Sequence, residues 1–191
     1  MAKPKVYSKL SVQAFLDELG AATASPGGGA AAALVGATAC ALLEMVHGIN
    51  SRKQRTENRS QKKKLKKIRT RLLALMTEDA KAYGKLKAAL KKKLSLAQRD
   101  QVYLKAAYAP VEICECCVQI AIANEEEKTK TSLWLMSDWR ETKILARTAF
   151  YAAMLNIEIN LNEIKDKAIA GKARQALNKL QAQMDALYAK D

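Results

Sequence analysis

At 191 residues the chain has the length of one ordinary domain, and its 49% apolar content is enough for a packed core, which excludes a disordered polypeptide. Thirty-three lysines and arginines against 19 acids leave a formal net charge of +14, so the expected partners are anionic: nucleic acid, a membrane surface or a polyanionic small molecule. Abundant alanine and leucine, only 3 prolines and no strand-type alternation predict an all-α fold, a single-domain multi-helix bundle.

Residues 1–7 read as a short tail without the apolar stretch of a leader. Ser8 or Ser11 can cap a first helix that ends near Gly20. Ser25-Pro26-Gly27-Gly28-Gly29 then feeds directly into the apolar run Ala30 to Met45. Glycines there permit positive φ and clear side chains from the approach path. A helix starting at that point presents unpaired N–H groups and a partial positive charge, a docking point for a carboxylate, a phosphate or a polar ring edge. The same residues also suit a plain flexible loop.

The second helix runs from about Ala30 to Ile49 and is apolar nearly all round, which predicts a central position. Its most apolar stretch, Ala30 to Leu43, reads as too short to span a bilayer. The third helix, about Glu57 to Leu94, opens in a basic run: Arg52 to Arg71 holds eleven basic residues against Glu57. Its apolar stripe is Leu65, Ile68, Leu72, Leu75, then Tyr83, Leu86 and Leu90. A fourth helix, Leu96 to Asn124, contains Pro110, which should kink or restart it. Asn124 to Thr131 reads as a solvated turn, and Ser137 or Asp138 can cap a fifth helix through about Leu155. The last helix carries Ala173, Leu177, Leu180, Met184 and Leu187. Without repeats or linkers, one domain takes residues 1–191.

Asp79 breaks the pattern most clearly. It falls on the stripe of the third helix, seven residues after Leu72 and four before Tyr83. A carboxylate facing a core must be paired, hydrogen-bonded or neutral, so Asp79 belongs either to an ion pair or to a cleft between helices. Glu44 marks the end of burial on the second helix. Asn156 and Asn160 sit in an apolar stretch, where buried amides tie helices together or read a ligand. Cys114, Cys116 and Cys117 splay around one helix. Zinc needs convergent ligands, so they are expected to be small buried residues, and no metal is expected. His47 is the single histidine, on which any Ser-His-Asp arrangement would rest. Ala30 stands where a Walker loop needs lysine. Four cysteines fit a reducing compartment, and a soluble, cytoplasmic protein with no membrane partner is expected.

The chain resembles the cyclodeaminase/methenyltetrahydrofolate cyclohydrolase family, which also forms the C-terminal domain of formiminotransferase-cyclodeaminase. The resemblance covers about residues 8–170. It rests on Ser25-Pro26-Gly27-Gly28-Gly29, Met45-Val46, Glu78-Asp79-Ala80, Pro110-Val111-Glu112, Ser137-Asp138, and Leu155-Asn156-Ile157 with Ile159 to Asp166. It implies a helical homodimer with folate bound in a cleft near the dimer interface. It also implies chemistry at the bridging one-carbon unit: hydrolysis of 5,10-methenyltetrahydrofolate to 10-formyltetrahydrofolate, or deamination of 5-formiminotetrahydrofolate to the methenyl compound. The tetrahydrofolate derivative is then the substrate. Asp79 is expected as general acid/base and Asp138 as a second polar anchor. Ser25, Pro26, Gly27, Gly28, Gly29 and Ser137 are expected to meet the ligand, with Arg52 and Lys53 attracting its anionic glutamate tail. The chain departs from the family pattern at Ala30, where serine is usual, and at Trp139-Arg140, where small residues are usual; Trp139 is expected to fill part of the pocket. The competing readings are a divergent, inactive member of the family and a non-enzymatic basic helical module, for example for nucleic acid. Aromatic content of 5% and the lack of a stacking platform count against the module.

Overall fold

The computed structural model describes residues 5–54 and 58–189. Glu57 and the first four residues of the expected tail lie outside the described residues. Seven α-helices follow one another: α1 (Val12–Gly20), α2 (Gly28–Lys53), α3 (Arg59–Leu90), α4 (Leu96–Ala106), α5 (Tyr108–Glu127), α6 (Met136–Asn162) and α7 (Lys167–Tyr188). No strand occurs among the described residues.

Ser11 caps α1 by accepting from the Ala14 N–H at 3.1 Å. Tyr7, expected in a tail, is instead buried edge-on against Phe15, and its N–H donates to Thr77 Oγ1 at 3.0 Å. The expected fourth helix divides at Ala107, so that Pro110 falls in the first turn of α5, where its missing N–H costs nothing. The expected solvated turn from Asn124 is still helical through Glu127. The fifth expected helix continues to Asn162, well past Leu155, and its N-cap is Leu135 with no side-chain cap. Ser137 and Asp138 therefore do not cap it; they occupy its first turn.

As its composition predicts, α2 is central and packs on α3, α5 and α6. Gly36 sits in this contact: a Cβ added there would stand 3.4 Å from both Cys117 Sγ and Leu72 Cδ2, at the edge of ordinary van der Waals contact. By length and apolarity α2 could cross a membrane, contrary to the sequence expectation, but here it forms the inside of the bundle. The basic face of α3 is partly engaged: Arg69 donates to Glu44 at 2.8 Å, and Arg71 bridges Glu78 and Glu112. Glu44 is thus an ion-pair partner between α2 and α3.

One end of α2 is pinned by a buried polar cluster. His47 Nδ1 lies 2.9 Å from Glu127 Oε1, and Asn50 Nδ2 donates to Glu127 Oε2 at 3.1 Å. Burial pushes the Glu127 carboxyl up, but the Asn50 and His47 hydrogen bonds and the nearby cations outweigh it and hold the pKa below the usual range. A depressed folded-state pKa means this stabilisation is present at neutral pH and is lost as pH falls into the acid range. Glu127→Ala is expected to cost about 2–4 kcal/mol, read as a lower denaturant midpoint with helical content retained below it.

At the other end, the carboxylate of buried Asp100 on α4 accepts from the Lys165 and Asp166 N–H groups at 2.9 and 2.8 Å. That anchors α4 against the α6–α7 turn and sets one wall of the cavity described next.

Candidate active site

The stripe of α3 changes character at Asp79. Leu65, Ile68, Leu72 and Leu75 are buried in the core, whereas Tyr83 and Leu90 further along the same face are exposed. From Asp79 onward this face walls a cavity of about 450 Å³. The loop entering α2 supplies Ser25 and Gly27, and the first turn supplies Gly28 and Gly29. Tyr103 and Ala106 come from α4, Asn156, Ile159 and Asn160 from the end of α6, and Glu163 stands just past it.

Among the described residues no lysine or arginine pairs with Asp79, so the ion-pair alternative falls away. Burial raises its pKa from the ordinary 3.8 to about 6, against an opposing pull from the Ala30 N–H at the start of α2. The carboxylate lies so close over Gly29 that a methyl added there would overlap it. A Cβ on Gly28 would meet Asn156 Oδ1 at 3.2 Å. No described glycine has positive φ, so the glycines serve close approach here rather than unusual backbone. Pro26 is buried after a cis peptide and does not line the cavity.

Asn156 Nδ2 donates to the Ala152 carbonyl and Asn160 Nδ2 to the Asn156 carbonyl, both at 2.8 Å. With the NH₂ groups tied back to α6, each carboxamide keeps its oxygen as a free acceptor. Asp79, the two amide oxygens and Glu163 give the cavity an acceptor-rich wall, suited to a cationic or N–H-rich ligand.

The other expected site residues stand elsewhere. Because α2 and α6 run antiparallel, Gly28 meets Asn156 while Lys53, 4.9 Å from the Trp134 ring centroid, marks the opposite end. Eighteen helical residues put Asp138 about 27 Å along α6 from Asn156. Within one chain Ser137, Asp138, Arg52 and Lys53 are therefore not brought to the Asp79 cavity; the order of motifs carries no such distance. Trp139 is also remote. Its indole N–H donates to the Asn124 carbonyl at 2.7 Å, and its ring fills the α5–α6 contact rather than the cavity, contrary to expectation.

Ser51, His47 and Glu127 do fall in the order of a nucleophilic triad, with Ser51 Oγ 3.5 Å from His47 Nε2. Glu127 also receives Asn50 and Lys130, and that long contact at a buried histidine reads as part of the pin on α2. Burial pushes the thiols of Cys40, Cys114 and Cys116 up to about 12, and Cys117 is raised too; these are protonated packing residues. Tyr103 carried no signal of its own in the sequence, and Glu163 had only its place in the Ile159 to Asp166 motif. Tyr83 and Leu90 looked like core, although the carboxylate preceding them on the same stripe marks where core gives way to cavity.

Residues 11–179 match the family model described as formiminotransferase-cyclodeaminase, a span that contains every residue of the cavity. The chain belongs to this family. Among its relatives is a methenyltetrahydrofolate cyclohydrolase of Methylorubrum extorquens, 28% identical over 190 residues, covering 93% of this chain and 91% of that protein. A formimidoyltransferase-cyclodeaminase of Rattus norvegicus is 30% identical over 189 residues; the match covers 89% of this chain and 34% of the rat protein. The crystal structure of a formiminotetrahydrofolate cyclodeaminase from Thermotoga maritima superposes with a TM-score of 0.84 at 26% identity, covering 95% of this chain and 93% of that one. The cavity brings Ser25, Gly27, Gly28, Gly29 and Asp79 together within the matched span.

Proposed function

We propose that this chain is a soluble, cytoplasmic folate one-carbon enzyme that works as a homodimer. It acts on the carbon bridging N5 and N10 of tetrahydrofolate, hydrolysing 5,10-methenyltetrahydrofolate to 10-formyltetrahydrofolate or deaminating 5-formiminotetrahydrofolate to the methenyl compound. The observation that carries this is Asp79: a carboxyl with a pKa raised to about 6, over the glycine entry to α2, in a cavity of about 450 Å³.

The methenyl bridge is an amidinium-like cation, and ionised Asp79 stabilises it. As water adds to the bridging carbon, Asp79 accepts its proton; that proton then goes to N5 as the carbon–N5 bond opens, while the hydroxyl of the adduct releases its own proton to solvent and becomes the formyl carbonyl. In the deamination direction N10 attacks the formimino carbon, and Asp79 protonates the leaving ammonia. A group titrating near 6 serves both transfers at neutral pH. Backbone N–H groups of the α2 first turn and the acceptors of Asn156 and Asn160 orient the polar ring.

The test is the absorbance decay of 5,10-methenyltetrahydrofolate with purified protein, corrected for spontaneous hydrolysis, beside ammonia release from the formimino compound. Acceleration of either reaction supports the reading. No acceleration of either overturns it.

A further inference from the structure

The hairpin of α3 and α4 has a cavity on each of its flanks. Leu86 and Ala106, both buried, line both cavities and form the partition between them. On α3, Asp79, Tyr83 and Leu90 face one flank, and Lys81, Lys85 and Ala89 face the other, about a third of a turn round the helix. On α4, Tyr103 lines the first cavity, whereas Val102 and Lys105 line the second. The second cavity measures about 580 Å³, the size of a small-molecule site, and no step of the folate chemistry uses it.

The two cavities have opposite electrostatic sense. The one over Asp79 is lined by acceptors and by no described lysine or arginine. The second carries Lys81 and Lys85, one turn and about 6 Å apart along α3, with Lys105 supplied by α4. Glu78 and Glu112 on its lining are already committed, because Arg71 donates to Glu112 at 2.6 Å and to Glu78 at 2.5 Å. Among the described residues no acid forms an ion pair with Lys85 or Lys105. The floor is apolar, made by Leu86, Val102, Ala106 and Ala109. Tyr108, 60% exposed at the start of α5, adds an aromatic ring to the lining. Such a surface recognises neither half of a ligand well by itself. Water solvates a bare phosphate better than exposed lysines hold it, and a neutral ring leaves the lysines unmatched.

We propose that this second cavity is a binding site for a small organic anion: a ring-sized apolar body lying on Leu86, Val102 and Ala109 beside Tyr108, with a phosphate or carboxylate held by Lys81, Lys85 and Lys105. Lysines suit either anion, as compact point charges on long stems that can close on it. Burial of the body supplies most of the affinity, and the charges supply orientation and selectivity. The packed partition of Leu86 and Ala106 keeps this ligand apart from the one over Asp79. The inference therefore does not rest on the folate reaction.

The test is isothermal titration calorimetry of the full chain with 1-naphthyl phosphate and with 1-naphthoate, each a ring-sized body carrying one anionic group. At least one of them should bind once per chain. Inorganic phosphate and 1-naphthol, the separate halves of the first probe, should each bind at least about tenfold more weakly. Lys85→Ala/Lys105→Ala changes only exposed side chains and should weaken the probe by about tenfold or more. Tyr108→Ala keeps every charge and should weaken it by about 3–10-fold. Asp79→Asn should leave it unchanged. Inorganic phosphate binding as tightly as the probe would show attraction to surface charge alone and overturn the site. So would binding that survives the double lysine variant, binding that moves with Asp79→Asn, or heat from neither probe. A double variant that falls apart into smaller assemblies on size exclusion would make this face a contact between copies, which also overturns the proposal. Because the readout is binding, a chain that turns over neither folate still answers the question.

Discussion

Replacing Asp79 by asparagine is expected to lower turnover by about 10²–10⁴-fold while raising stability at neutral pH. The two effects share one cause. Burial makes the folded state hold its proton up to about pH 6, whereas the unfolded chain releases it near 3.8. A folded-state pKa raised above the unfolded value means that ionisation costs stability. The cost is absent below pH 4, grows as pH rises toward 6, and levels off at up to about 3 kcal/mol. Asparagine removes it, so the variant should melt above wild type by roughly 5–10 °C at pH 7.5, a gap that closes toward pH 4. The wild-type kcat/KM should rise with pH through about 6, because the ionised form takes the proton from water. A variant with unchanged turnover, or a melting gap of the same size at pH 4 and pH 7.5, would remove Asp79 from its role. Stability and activity pull in opposite directions here, as expected where a carboxyl is held in poor solvation for its chemistry.

The sequence made the helices legible because their burial is periodic. Leu65, Ile68, Leu72 and Leu75 lie on one face whatever surrounds them, and the all-round apolarity of α2 can be satisfied only in the middle of a bundle. Asp79 was legible for the same reason, as the one charge on a stripe. Boundaries were harder to read. The α4–α5 break at Ala107 is a change of direction that Pro110 permits without specifying, and α6 runs past Leu155 because Ile157 and Leu161 are buried. Placement of the second site group was not legible at all. Ser137 and Asp138 look like a cap and like a site motif, but which end of the bundle they occupy depends on α2 and α6 being antiparallel. The glycines were legible as special, and of the two reasons read for them positive φ does not occur while close approach does, made by a side chain on another helix.

That cause gives the second large effect. Gly29→Ala should inactivate the enzyme by about 10²-fold or more, because the new methyl and the Asp79 carboxylate cannot share one space. The helices cannot simply part to make room. A Cβ added at Gly36, two turns further along α2, would stand only 3.4 Å from Leu72 of α3 and Cys117 of α5, so α2 is closely packed there as well. Asp79 must turn out of its position, losing both its shielding from water and its alignment with the bridging carbon. Overpacking costs about 1–3 kcal/mol, and the better helix propensity of alanine returns about 1 kcal/mol, so net stability should change little while turnover collapses. The graded series separates space from propensity. Gly28→Ala should do less harm, since it presses on the Asn156 carboxamide at 3.2 Å. Gly48→Ala, with nothing within 4 Å, should stabilise α2 and leave turnover intact. Equal activity across the three variants, measured beside their melting curves, would show that the loop tolerates a side chain over Asp79. The carboxylate would then not be held there by the glycine.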